Sequence, residues 1–209
     1  MVIKTVVVGP LQVNCFIIAD EETRKALVVD PGDEPDRIMD LIRQQGLDLQ
    51  YIVCTHGHFD HVGAVIDMKQ ETGARVVLHK DDLEIYAAAK EMGALWGFAA
   101  ETQPEPDLFV RDGDTIAVGN LQFRVFHTPG HSPGGICLYS EGVAVTGDTL
   151  FAGSIGRTDF HGGDINRLKQ SFRRLMELPD STKVLPGHGP SSTIGRERSH
   201  NMFSEEFLK

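Results

Sequence analysis

The sequence predicts an α/β chain: two β-sheets packed face to face, with helices on their outer sides. Two observations predict it. Apolar, β-branched runs of strand length alternate with segments of helical periodicity, and the order strands, helices, strands, helices occurs twice along 209 residues. Histidines and aspartates also gather directly after several strand-like runs, the edge at which α/β folds collect ligands. Residues 1–209 read as one domain, because no linker separates the halves and a chain of this length buries one sizeable core.

The elements follow in order. Val2–Val8 and Val13–Ala19 read as strands separated by Gly9-Pro10, and Lys25–Val29 as a third. Asp30-Pro31-Gly32-Asp33 is a turn. Asp30 serves either turn chemistry or the steering of a ligand imidazole. Residues 34–45 read as a helix stopped by Gly46, with Ile38, Leu41 and Ile42 inward. Residues 49–54 read as a buried strand and 62–71 as a helix. Arg75–His79 is a strand and 80–92 a helix. Residues 93–107, with the single tryptophan Trp96, read as an irregular surface loop, with a lid or substrate wall as the alternative. From Leu108 the period changes. Residues 115–118, 121–127, 135–139 and 143–146 read as the strands of a second, meander-like sheet. Residues 165–178 form a helix, 183–185 a short strand, and 196–208 a closing helix.

Composition restricts the function. The formal charge of −10 argues against a protein that grips nucleic acid through its phosphates. No apolar run approaches membrane-spanning length, and the N-terminus lacks a signal-peptide layout. Cys15, Cys54 and Cys137 sit far apart in apolar runs and read as reduced, buried thiols. The expected location is the cytoplasm and the expected partner a small molecule, with oligomeric state left open.

Thr55-His56-Gly57-His58-Phe59-Asp60-His61 is the densest chemistry in the chain. Imidazole and carboxylate are the ligands that zinc and its neighbours take, and packing such groups together without a cation gains nothing. His56 and His58 point the same way in extended backbone, whereas Asp60 and His61 at the helix start face elsewhere. That geometry suggests two neighbouring metal positions. Three later stretches have comparable settings. His131 lies in the stiff Thr128-Pro129-Gly130-His131-Ser132-Pro133-Gly134 frame, Asp148 follows an apolar run, and His188 is flanked by Gly187 and Gly189. Singly, each is a loop or cap residue as readily as a ligand.

Together, the HGHFDH motif with His131, Asp148 and His188 resembles the metallo-β-lactamase superfamily over nearly the whole chain. The resemblance implies a four-layer αβ/βα sandwich with a metal pair at one sheet edge. It implies His56, His58 and His131 on the first metal, Asp60, His61 and His188 on the second, and Asp148 bridging them. Common zinc β-lactamases carry Cys at the position matching Asp148, which points away from lactam hydrolysis. Gly147–Phe151, Gly156-Arg157-Thr158-Asp159-Phe160 and Pro186–Pro190 look like the glyoxalase II branch, above all its short bacterial members. The usual Asn-Pro near the end is Asn201-Met202 here. Full-length members add a helical C-terminal domain that supplies much of the glutathione pocket. Residues 189–209 alone follow His188, so the reading expects a chain without it and leaves the thiol carrier open.

The implied activity is thioester hydrolysis, as of S-D-lactoylglutathione, by a hydroxide bridging two divalent ions, zinc first and iron or manganese as alternatives. Asp60 and Asp148 are the implied catalytic carboxylates. Arg157 is the implied contact for the substrate carboxylate, with a structural salt bridge as its alternative role. The competing reading is a mono-iron persulfide dioxygenase using His56, His131 and Asp148; a lactonase is a third. His79, His127 and His200 receive no role; His161 reads as a surface-loop residue, with a substrate contact beside the Arg157 segment as the alternative.

Overall fold

The computed structural model describes residues 1–98 and 101–209. The first half of the chain lays down β1 (Val2–Val8), β2 (Val13–Ala19), β3 (Lys25–Val29), α1 (Pro35–Gln44), β4 (Asp48–Val53), α2 (Phe59–Val62), α3 (Val65–Thr72) and β5 (Arg75–His79). A 3₁₀ turn at Lys80–Asp82 leads into α4 (Leu83–Ala87) and α5 (Ala89–Leu95), and β6 (Leu108–Val110) follows. The six strands form one sheet in sequence order. The β1–β2 and β2–β3 pairs are antiparallel; β3, β4, β5 and β6 run parallel.

The second half adds β7 (Thr115–Val118), β8 (Leu121–His127), β9 (Ile136–Ser140), β10 (Val143–Gly147), and the small hairpin β11 (Leu150–Phe151) with β12 (Ser154–Ile155). Then come α6 (Ile165–Leu175), β13 (Lys183–Pro186), β14 (Ser192–Thr193), α7 (Ile194–His200) and α8 (Ser204–Phe207). The second sheet has the order β14-β13-β10-β9-β8-β7, with β10 and β13 parallel.

Period-two alternation sets the layers. In β2, Phe16 and Ile18 enter the core between the sheets, while Cys15 and Ile17 face the outer helices. Leu27, Val53 and Val77 meet Phe123, Leu138 and Val145 across the sheet interface. The outer face of the first sheet packs on Ile38, Ile42, Val65 and Met68. Behind the second sheet, Phe126 and Cys137 pack on Leu168, Phe172, Ile194 and Phe207. The result is helix, sheet, sheet, helix. Local signals support the helices: Pro35 opens α1, and the Asp164 side chain caps α6 by accepting from the Asn166 and Arg167 backbone amides. The three cysteines are buried and unpaired. Among the described residues no helix is long and apolar enough to cross a membrane.

Several elements differ from the sequence reading, each for a local reason. The helix expected over 62–71 is interrupted, because Ala64 N–H donates to Pro31 O and ties the chain to the β3 exit. The helix expected over 80–92 begins as a 3₁₀ turn and offsets at Ala88. Leu108–Val110 joins the first sheet: the Asp107 carboxylate accepts Val76 N–H at 2.8 Å and Asp107 N–H donates to Val76 O. The closing helix breaks at Asn201, which is extended at φ −65, ψ 136. Its carboxamide instead donates to Ser154 O and Glu197 and accepts from Phe203 N–H. The β11–β12 hairpin was not expected at all.

The inter-sheet core should dominate stability. Leu27→Ala is expected to cost about 3 kcal/mol through lost burial and cavity formation, whereas exposed Val7→Ala stays within about 0.5 kcal/mol. Urea unfolding of the two variants checks this.

Candidate metal centre

The site is built where strands of both sheets end. Asp30 follows β3, His56 and His58 follow β4, and Asp60 and His61 begin α2. From the other sheet, His131 follows β8, Asp148 follows β10 and His188 follows β13. Two triads emerge. His56, His58 and His131 bring one ligand atom each to within 4.8 Å of one another, as do Asp60, His61 and His188. His58 Nδ1 lies 2.9 Å from His131 Nε2, and His61 Nε2 lies 3.2 Å from His188 Nε2. Asp148 spans both: its Oδ1 is 3.5 Å from His61 Nε2, and its Oδ2 is 3.6 Å from His131 Nε2 and from His188 Nε2. Asp60 Oδ2 is 3.4 Å from His188 Nε2 and 3.6 Å from His61 Nε2. The structure thus brings together all seven ligand candidates.

The outer nitrogens fix the tautomers. His131 Nδ1–H donates to Arg157 O at 2.8 Å, and His188 Nδ1–H donates to Leu11 O at 3.0 Å, since a carbonyl only accepts. His61 Nδ1–H donates to Asp30 Oδ2 at 3.1 Å. Thr55 Oγ donates to Asp30 Oδ2 at 2.7 Å, so it accepts from His56 Nδ1–H at 3.0 Å. Four imidazoles therefore aim Nε2 inward, the atom that is bare whenever the ring is neutral. Two of the inward atoms, His56 Nε2 and Asp148 Oδ1, are buried without a hydrogen-bond partner. Lone pairs facing lone pairs beside orphaned acceptors are the donor set of a cation site, and the residues fit a pair of divalent ions.

Electrostatics agree. Burial, reinforced by neighbouring imidazoles, lowers the pKa of His56, and burial and His131 lower that of His58 to about 3. Both rings stay neutral and available. Burial opposes charge on His61, but Asp148, Asp60 and Asp30 outweigh it and raise its pKa to about 10. Burial likewise opposes charge on His188, yet Asp60 and Asp148 raise its pKa. Burial pushes the Asp60 carboxyl up, but His61 and His188 hold it below the usual range. Without a cation, protons on the second triad balance its carboxylates.

Three residues that the sequence reading left without a firm role position these ligands. Asp30 proves to be an orienting carboxylate as well as a turn residue. Asn14 Nδ2 donates to Pro186 O at 2.9 Å and Gly189 O at 2.8 Å, clamping the His188 loop to β2. Asp82 is fully buried and accepts from Gly57 N–H and Ser132 Oγ at 2.8 Å, and from Gly134 N–H. It ties the His56–His58 loop to the His131 loop. Its signal in sequence was only an acidic pair after a strand, which reads equally well as a helix cap. Close packing adds a constraint: a Cβ on Gly32 would sit 1.6 Å from Asp60 O.

Arg157 lines the cavity above the triads, and its guanidinium is committed to Asp159 through two bonds of 2.7 Å. Trp96 lines the same cavity, so the start of the 93–107 segment is a wall rather than a plain surface loop; Ala99 and Ala100 lie outside the described residues. His79 and His127 stack with ring centroids 4.0 Å apart at 11°, near Asp81. Parallel rings keep their in-plane lone pairs from converging. His161 is exposed at the cavity mouth, and His200 is exposed at the end of α7.

Two outcomes are expected. Cation binding must displace the His61 proton, whose pKa is about 10, so affinity should rise by about tenfold per pH unit between pH 6 and 9 for each proton released. Chelator competition across that range measures it. Asp82→Ala should weaken cation binding by about tenfold or more, while Asp81→Ala at the exposed neighbour leaves it unchanged, in the same titration.

The sequence matches the family model described as the metallo-beta-lactamase superfamily over residues 8–188. It is 36% identical over 208 residues to the protein named hydroxyacylglutathione hydrolase GloC of Haemophilus influenzae, covering 97% of this chain and 98% of that one. The structure of BLEG-1, titled a B3 metallo-beta-lactamase, superposes with a TM-score of 0.91 at 35% identity, covering 97% and 99% of the two chains. That of TTHA1623 in a di-iron-bound form gives 0.89 at 40% identity, covering 96% and 99%. ETHE1 from Myxococcus xanthus gives 0.82 at 32% identity, covering 100% and 88%. Neighbours with such different names share this fold, and this chain belongs to the metallo-beta-lactamase superfamily, with its two mixed sheets flanked by helices.

Proposed function

We propose that this protein is a binuclear metal-dependent hydrolase that cleaves a thioester to a 2-hydroxy acid and a free thiol. The observation that carries the reading is the pair of triads, with tautomers locked so that bare nitrogens and the Asp148 carboxylate meet at one point. Its substrate class is supported by 36% identity to a protein named hydroxyacylglutathione hydrolase. His56, His58 and His131 would hold one divalent ion, Asp60, His61 and His188 the other, with Asp148 between them. Zinc is the first choice, with iron or manganese as alternatives, and one similar structure is titled di-iron-bound. Two such ions lower the pKa of water to about 7 and polarise a carbonyl oxygen, the chemistry that thioester hydrolysis needs.

The chain's own groups do the rest. Asp60 stays ionised beside His61 and His188, so its carboxylate orients the attacking water by accepting a hydrogen bond. Asp30, through Thr55 and His61, keeps two rings from rotating. In the reaction a C–O bond forms and the C–S bond breaks. Sulfur leaves with the electron pair and takes a proton from solvent, so no strong side-chain acid is required. Arg157 contributes a wall of the cavity beside the triads. The mono-iron oxygenase reading uses His56, His131 and Asp148 alone. It leaves His58, Asp60, His61 and His188 without a metal, although the His61 and His188 rings are as firmly anchored as His131.

Elemental analysis of one preparation, with parallel assays, tests the proposal. About two metals per chain, S-D-lactoylglutathione hydrolysis that chelation abolishes, and no oxygen uptake with glutathione persulfide are the expected results. One iron with oxygen uptake would replace this reading with the oxygenase. His188→Ala should lower both metal content and hydrolysis.

A further inference from the structure

We infer that the substrate of this site is a thioester whose larger part is uncharged and apolar; the inference rests on the thioester reading and narrows it. A cavity of about 680 Å³ opens directly above the triads, with His58, Asp60, His131, Asp148 and His188 in its lining. Its walls are apolar and come from both halves of the chain: Phe59, Met92 and Trp96 on one side, Phe151, Ile155 and Phe160 on the other. The Phe59 and Trp96 rings lie 6.1 Å apart, and Trp96 meets Phe160 edge-on at 6.3 Å. Trp96 is 50% exposed and Met92 41% exposed. Large apolar groups left in water around the mouth of a reactive cavity mark surface kept for an apolar ligand.

Charge points the same way. Among the described lining residues, Arg157 is the one lysine or arginine. Its Nε and Nη2 both donate to Asp159, and its guanidinium carbon lies 3.8 Å from the Phe160 ring centre. That half-exposed pair answers part of its charge, and its flat face lies against the wall. Glu84, near His161, adds a carboxylate to the lining. A glutathione thioester brings two carboxylates and an ammonium, and it would meet a paired guanidinium and apolar rings. An aryl or alkyl thioester meets surface that gains from its burial.

The test keeps the acyl group constant and changes the thiol. The metal-loaded full chain is assayed with the lactoyl thioesters of benzyl mercaptan and of glutathione, each rate normalised to its own hydroxide-catalysed rate. In parallel, benzyl methyl sulfide and S-methylglutathione are titrated against the emission of Trp96, the chain's single tryptophan. The expected result is at least a tenfold higher kcat/KM for the benzyl thioester, expressed in KM, with only the neutral sulfide shifting Trp96 emission. Met92→Lys, at an exposed wall position, should move the preference toward glutathione. Equal or better use of the glutathione thioester, with S-methylglutathione binding as tightly as the sulfide, overturns the inference. Hydrolysis of neither thioester overturns the thioester reading instead. The Trp96 titration then decides alone: tenfold tighter binding of the sulfide keeps the apolar class, and equal binding removes it.

Discussion

The buried carboxylate of Asp30 is the constraint on which the rest of the site depends. It has no exposure, and a left-handed backbone at φ 52 turns it inward as β3 ends. A buried carboxylate is tolerable only when its lone pairs are used. Here Oδ1 accepts Thr55 N–H, and Oδ2 accepts both Thr55 Oγ and His61 Nδ1. Those bonds dictate which nitrogen of His61 carries hydrogen. Through the Thr55 hydroxyl, they also dictate it for His56. One side chain therefore sets two ligand rings, one in each triad.

Neither sheet makes the site alone. The first supplies the His56–His61 loop and the second supplies His131, Asp148 and His188, so their relative placement must be fixed by contacts that cross the seam. Asn14 does this for the His188 loop, and Asp82 does it for the His131 loop. Asn14 bonds to backbone carbonyls, and Asp82 to backbone amides and the Ser132 hydroxyl; neither bonds to a ligand ring. They fix where loops run, while Asp30, Arg157 O and Leu11 O fix how the rings turn.

The layered fold and the ligand candidates were legible because their signals are local. Period-two runs such as Val13–Ala19 name both faces of a strand, and histidines and aspartates that recur after several strand ends name the site once they are taken together. Of the positioning residues only Asp30 was legible, as one of two roles its turn allowed. Asn14, Asp82 and Glu197 act on partners between 4 and 175 positions away, and an isolated Asn or acid carries no mark of that. The breaks at Ala88 and Asn201 were missed because helical periodicity continues through them, and tertiary hydrogen bonds at Asn201 override it. Leu108–Val110 is too short to declare its sheet.

The hairpin behind the cavity is held from outside the triads. Buried Glu197 accepts Gly153 N–H at 2.7 Å, and Asn201 donates to Ser154 O. The facing wall is carried by α5 and Trp96, again on a segment that contributes no ligand. Apart from Phe59, these wall residues therefore sit on stretches of polypeptide that carry no ligand candidate. Exchange of Met92, Trp96, Phe151 or Ile155 would change what the cavity admits while the two triads stay in place.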